Sequence, residues 1–133
     1  MAAKQEYSIL IADDDSPCRE TLREIVEGEG FRALVASSGE EALDLIRFTK
    51  VHLAMLDMHM PCLSGLETLH LLRQIHALIP AILVTGDPTE AILRQAQQAA
   101  VFSVIPKPIN RRMVAYTLVR AMSRYYETPM GGN

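Results

Sequence analysis

Asp57 ends the apolar run Leu53 to Leu56, and the stretch LAMLDMHMP closes on Pro61. A carboxylate at the end of a buried strand is costly unless a nearby group uses its charge. Three more acids, Asp13, Asp14 and Asp15, end the run YSILIA. Thr85 and Gly86 end the run AILVT, and Lys107 with Pro108 follows VFSVI. Brought together, these groups define a chemistry. Several carboxylates within a few ångströms repel one another, and a bound divalent cation removes that repulsion. Oxygen ligands without a histidine–cysteine cluster select a hard ion, and a few acids plus waters suit Mg²⁺ better than Zn²⁺. A metal and a lysine around one carboxylate are equipped to handle a phosphoryl group, because both neutralise its equatorial oxygens during transfer. Asp57 would then be a nucleophile that accepts phosphate.

These residues meet only if the intervening elements carry them to one edge of a sheet. The runs YSILIA (7–12), FRALVA (31–36), VHLAML (51–56), AILVT (81–85) and VFSVI (101–105) read as strands buried on both faces. Between them lie helical patterns. Ser16 and Pro17 predict an N-cap followed by a first-turn proline, with Cys18, Leu22, Ile25 and Val26 on one face and Gly28 and Gly30 as the stop. Ser38–Glu41 and Ser64–Glu67 read as capping boxes, and Asp87, Pro88 and Glu90 as the start of a fourth helix. A fifth helix is expected from about Asn110 to Tyr125. Five strands alternating with five helices imply right-handed βαβ crossovers and an α/β doubly wound parallel sheet. In the flavodoxin-like order 2-1-3-4-5, strands 1 and 3 are neighbours, so their acids converge at the switch point.

Composition agrees with one soluble domain. The 133 residues suffice for a core without staples, with 49% apolar and 22% charged residues. A net charge of −3 points to no direct nucleic-acid or anionic-membrane surface. No apolar run is long enough to span a bilayer, and the start has no secretory pattern. Cys18 and Cys62 lack metal-ligand spacing and read as free thiols of a reducing cytoplasm. The expected organisation is a lead-in over 1–7, a domain over 8–126 and a tail over 127–133. No output domain is expected within it: the chain either acts through protein contacts or is a piece of a longer regulator.

Over about residues 8 to 125 the sequence resembles the receiver domain of two-component response regulators, the CheY-like domains. ILIADDD, MLDMHMP, ILVTG and IPKP stand in order at the family's intervals. The resemblance implies that Asp57 is the phosphoacceptor and that Asp13 and Asp14 hold Mg²⁺ with it, the backbone carbonyl of His59 being a further ligand. It implies that Lys107 contacts the phosphoryl group, that Thr85 turns its hydroxyl to it, and that Lys107–Pro108 is a cis peptide. Asp15, beside the pair, is expected to be solvated. The implied partners are a histidine kinase or phosphotransfer protein, and a downstream protein that meets the surface of helix 4, strand 5 and helix 5. A phosphorylation-dependent homodimer is compatible with this. Catalysis would extend only to the domain's own phosphorylation and dephosphorylation. Receivers commonly carry Tyr or Phe three residues before the lysine; here Val104 stands there, with Phe102 expected on the same face.

Other functions fit less well. A phosphohydrolase of the haloacid-dehalogenase type would want a second Asp two residues after the nucleophile, where His59 stands. A flavin or nucleotide site would want a Gly/Ser/Thr-rich loop after strand 1, and three acids are there instead. A receiver that had lost phosphorylation would not keep the acids, threonine and lysine together. His52, His70 and His76 show no partners in the sequence and stay unassigned.

Overall fold

The computed structural model describes residues 6–126, so residues 1–5 of the expected lead-in and the expected tail 127–133 lie outside the described residues. The elements are β1 (Ser8–Ala12), α1 (Ser16–Gly28), β2 (Arg32–Ala36), α2 (Gly39–Phe48), β3 (Leu53–Asp57), α3 (Gly65–Ile75), β4 (Ala81–Thr85), α4 (Glu90–Gln98), β5 (Ser103–Pro106) and α5 (Arg111–Tyr126). All strand pairs are parallel, in the order β2-β1-β3-β4-β5. This is the expected doubly wound α/β sheet.

β1, β3 and β4 are buried at every position, which is why their sequences do not alternate. Alternate residues of each strand feed two apolar layers. Leu10, Leu56 and Leu83 meet α2, α3 and α4 through Ile46, Leu69, Leu72 and Ile92. Ile9, Ile11, Met55 and Ile82 meet α1 and α5 through Leu22, Val26, Val114 and Leu118. The register pairs Ala12 with Leu56 and Asp57 with Val84, so the acids after β1 and Asp57 reach the same carboxyl edge.

Local chemistry departs from expectation at several helix starts. Asp15, not Ser16, caps α1: its Oδ2 accepts the Cys18 amide at 3.1 Å, and Pro17 moves one place into the first turn. Thr89, not Asp87, caps α4 by accepting the Ile92 amide at 3.2 Å. Both shifts are cheap, because a first-turn amide has no helical partner whichever residue supplies it. Ser38 caps α2, but the Glu41 carboxylate turns to the amide and hydroxyl of Ser37 instead of closing the box. Ser64 and Glu67 make the full reciprocal box. Asn110 caps α5 through the Met113 amide at 3.0 Å.

Phe102 lies on the α1–α5 side of the sheet and Val104 on the α2–α4 side, contrary to the expected shared face. β5 begins only at Ser103, so Phe102 belongs to the preceding bend, where two-residue alternation does not hold. His52 also gains partners that the sequence did not show. Its Nδ1 accepts the Ser8 amide at 3.0 Å, and its carbonyl accepts the Tyr126 hydroxyl at 2.6 Å, tying β1 and the end of α5 together.

Gly65, the first residue of α3, sits against the back of Asp57. A Cβ there would lie 2.6 Å from the Asp57 carbonyl oxygen and 2.9 Å from Leu83 Cδ1. Gly65→Ala should therefore cost about 2 kcal/mol by overpacking and displace the β3 carboxyl end. A urea midpoint equal to wild type would show that this approach can relax freely.

Candidate functional site

Four of the five strands, β2 excepted, contribute functional side chains to the carboxyl edge. Asp13 follows β1 and is fully buried, Asp57 ends β3 at 4% exposure, and Thr85 ends β4 with none. Lys107 follows β5, and its peptide to Pro108 is cis, as expected. Its amide donates to the Thr85 carbonyl at 2.8 Å, which fixes the lysine's origin beside β4.

The side chains converge. Lys107 Nζ lies 3.1 Å from Asp13 Oδ2 and 3.3 Å from Asp57 Oδ2. Asp13 Oδ1 accepts the Asp15 amide at 2.9 Å, and the Asp13 carbonyl accepts Arg19 Nη1 at 2.8 Å. Asp57 Oδ1 accepts the His59 amide at 3.3 Å. The β3–α3 loop is pinned by the Met58 amide on the Val84 carbonyl and the Gly65 amide on the Met58 carbonyl. Asp14 is exposed, yet one oxygen from each of Asp13, Asp14 and Asp57 falls within a 4.8 Å cluster.

One lysine does not balance these acids. Burial raises the Asp57 carboxyl from 3.8 to about 6, the Asp13 charge adds to the rise, and Lys107 only partly opposes it. For Lys107 burial works against the ammonium, but the two carboxylates outweigh it and the group is raised. Asp13 Oδ2 is buried and makes no hydrogen bond despite its proximity to Nζ. Three acids sharing a single ammonium, in an all-oxygen set, are what a hard cation would balance.

Thr85 Oγ1 accepts the Asp87 amide at 3.0 Å, which holds the hydroxyl at the end of β4, on the same sheet edge as the acids. His59 is exposed, and it meets the acids through its backbone amide. Asp15 is the α1 cap and stands outside the cluster.

Two neighbours were not legible beforehand. Arg19 clamps the Asp13 carbonyl from α1, at a spacing no motif marks. The Cys18 thiol is pushed up to about 12 by burial and by its hydrogen bond to Asp13, so it stays protonated. Its helical periodicity marked only an apolar face. Both cysteines are free.

Comparison with known proteins agrees with this geometry. The family model of the response regulator receiver domain matches residues 9–118. The transcriptional regulatory protein CpxR of Escherichia coli is 38% identical over 117 residues, 87% of this chain and 49% of that protein. A response regulator receiver protein of Anaeromyxobacter is 35% identical over 100 residues, covering 75% of this chain and 42% of its own. The chain thus spans about half the length of these curated relatives. Among solved structures, a CheY-like receiver domain protein from Methanospirillum hungatei superposes with a TM-score of 0.84 at 26% identity, over 91% of this chain and 97% of the other. A receiver domain protein from Clostridium thermocellum gives 0.80 at 26% identity, over 89% and 95%. With the matched model covering most of its length and the acids, threonine and lysine gathered at one strand edge, this chain belongs to the response regulator receiver domain family of two-component signalling.

Proposed function

We propose that this chain is a phosphoacceptor switch, with residues 8–126 as the receiver domain and Asp57 as the residue that takes a phosphoryl group from a histidine kinase or phosphotransfer protein. The observation that carries the proposal is the Lys107 ammonium held 3.1 and 3.3 Å from two buried carboxylates, with a third acid in the same 4.8 Å cluster. Asp13, Asp14 and Asp57, with the carbonyl of His59, are the groups that would hold Mg²⁺. When bound, the ion supplies charge neutralisation for the phosphoryl oxygens. Lys107 would add the second positive charge, and Thr85 would offer its hydroxyl as a donor. Within the fold, Asp57 Oδ1 is oriented by the His59 amide, leaving Oδ2 on the Lys107 side as the attacking oxygen.

The reading extends to partners and place. The face of α4, β5 and α5 is proposed as the surface that changes affinity for a downstream protein. Two free thiols fit a reducing cytoplasm. No helix of the described residues is long and apolar enough to cross a membrane. Incubation with acetyl phosphate and Mg²⁺ should add the mass of one phosphoryl group to the intact protein; no gain would refute the proposal.

Val104 sets how such a switch can move. It pairs with Leu83 in the sheet and packs partly buried on the α2–α4 side, with one short, stiff χ1. It has no ring to swing into space that Thr85 vacates. Methyl NMR with and without beryllofluoride should show large shifts around Thr85 and a nearly constant Val104 rotamer. A rotamer flip at Val104 would overturn this account.

A further inference from the structure

The start of β5 and the outer face of α5 form a cationic, aromatic ridge that the phosphoacceptor chemistry does not use. Residues 101–126 contain Lys107, Arg111, Arg112, Arg120 and Arg124 and none of the chain's 16 acidic residues. Lys107 serves the acid pocket, and Arg111 pairs with Glu24 at 2.7 Å. Arg112, Arg120 and Arg124 are exposed and make no ion pair among the described residues.

Arg112, Tyr116, Arg120 and Arg124 recur every fourth residue, so they stack along one face of α5. The Arg120 guanidinium lies 5.6 Å from the Tyr116 ring centre and 6.0 Å from that of Phe102. Arg124 lies 5.9 Å from the Tyr125 ring, which meets Phe102 edge-on at 6.1 Å. A groove of about 460 Å³ runs beside them, lined by Val101, Phe102, Ser103, Thr117, Arg120 and Arg124. A guanidinium held between rings has little rotamer freedom left to lose, and its planar fork matches a carboxylate bidentately.

We propose that this ridge is a receptor for an acidic segment of a partner protein, with Arg120 as the carboxylate-binding centre and the segment lying along the groove beside Phe102. The proposal rests on the reading of this face as the output surface and names the chemistry of what binds there. A second copy is a poor occupant. A two-fold interface pairs residues of one surface with others of the same surface, and α5 offers its arginines no acid to pair with. The adjoining α4 offers only Glu90, in its first turn, and carries Arg94 as well. Nucleic acid is disfavoured too, because 15 of the 16 acidic residues precede Val101 and would repel an extended polyanion beyond the ridge. A short acidic segment meets only the ridge.

The test uses a fluorescein-labelled, 16-residue alanine-based helical peptide with glutamates four residues apart. It is added to isotope-labelled protein with and without Mg²⁺ and beryllofluoride. Binding should shift the amides of Phe102, Tyr116, Arg120 and Arg124, and weaken about tenfold in Arg120→Glu and measurably in Arg120→Lys, which keeps the charge but loses the fork. The same peptide with lysine in place of glutamate should not bind. Shifts elsewhere, no binding, a 16-mer oligothymidylate binding as tightly as the acidic peptide, or a sedimenting dimer that Arg120→Glu dissolves would each overturn the proposal. Beryllofluoride shifts around Thr85, read in the same samples, separate the two readings. If they appear while the peptide ignores the ridge, this inference fails and the switch stands. If they are absent, the switch reading fails, and peptide mapping without beryllofluoride still decides the ridge.

Discussion

Asp57→Asn protein incubated with acetyl phosphate and Mg²⁺ should keep its unmodified mass, while wild type gains one phosphoryl group. Asparagine preserves the shape of the side chain and its acceptor for the His59 amide, so the fold should survive. What it removes is the anionic oxygen 3.3 Å from the Lys107 ammonium, the atom proposed to attack phosphorus. The other two acids are poor substitutes. Asp13 is fully buried, with Oδ1 committed to the Asp15 amide, and Asp14 is exposed to solvent. Loss should therefore be complete within detection rather than graded. Lys107→Ala should slow labelling without abolishing it, since it withdraws charge neutralisation but leaves the nucleophile. Labelling of Asp57→Asn comparable to wild type would remove Asp57 from the role.

The site was more legible in the sequence than its surroundings, and the reason is physical. Strand burial dictates continuous apolar runs, and a parallel sheet sends their carboxyl ends to one edge, so acids and a lysine just after those runs had to meet. Element ends were harder. Ser16 and Asp15 are both good caps one residue apart, and Asp87 and Thr89 compete in the same way before α4; packing, not propensity, decides between them. Phe102 was misplaced because alternation was extended one residue beyond the strand it governs. Arg19 bonds a backbone carbonyl six residues back, at a spacing that marks no motif, and His52 bonds an amide 44 residues away, where a single sequence carries no local pattern.

The metal and the proton should oppose each other in stability. Without divalent ions the folded Asp57 carboxyl titrates at about 6 rather than 3.8, because burial and Asp13 outweigh Lys107. A folded-state value above the unfolded one means that the protonated form favours folding, so the penalty grows as pH rises past 3.8 and is complete above about 6. Two pH units correspond to about 3 kcal/mol, carried by a group that is 4% exposed. In EDTA, the stability of wild type relative to Asp57→Asn should therefore improve as the solution is acidified from about pH 7.5 to about pH 5. The difference between the two proteins cancels groups they share, such as the buried His52, whose lowered value pushes the other way. Mg²⁺ at about a hundred times its dissociation constant should add about 2.7 kcal/mol at neutral pH, because it binds only the folded cluster. Protons compete for the same oxygens, so that gain should shrink on acidification and largely cancel the slope seen in EDTA. Asp14→Ala should lose most of the Mg²⁺ response, and without Mg²⁺ should match or exceed wild type because one crowded charge has gone. Thermal melts at several pH values with and without Mg²⁺ decide the matter. An Asp14→Ala response equal to wild type would put the ion somewhere other than the acids of the β1 and β3 ends.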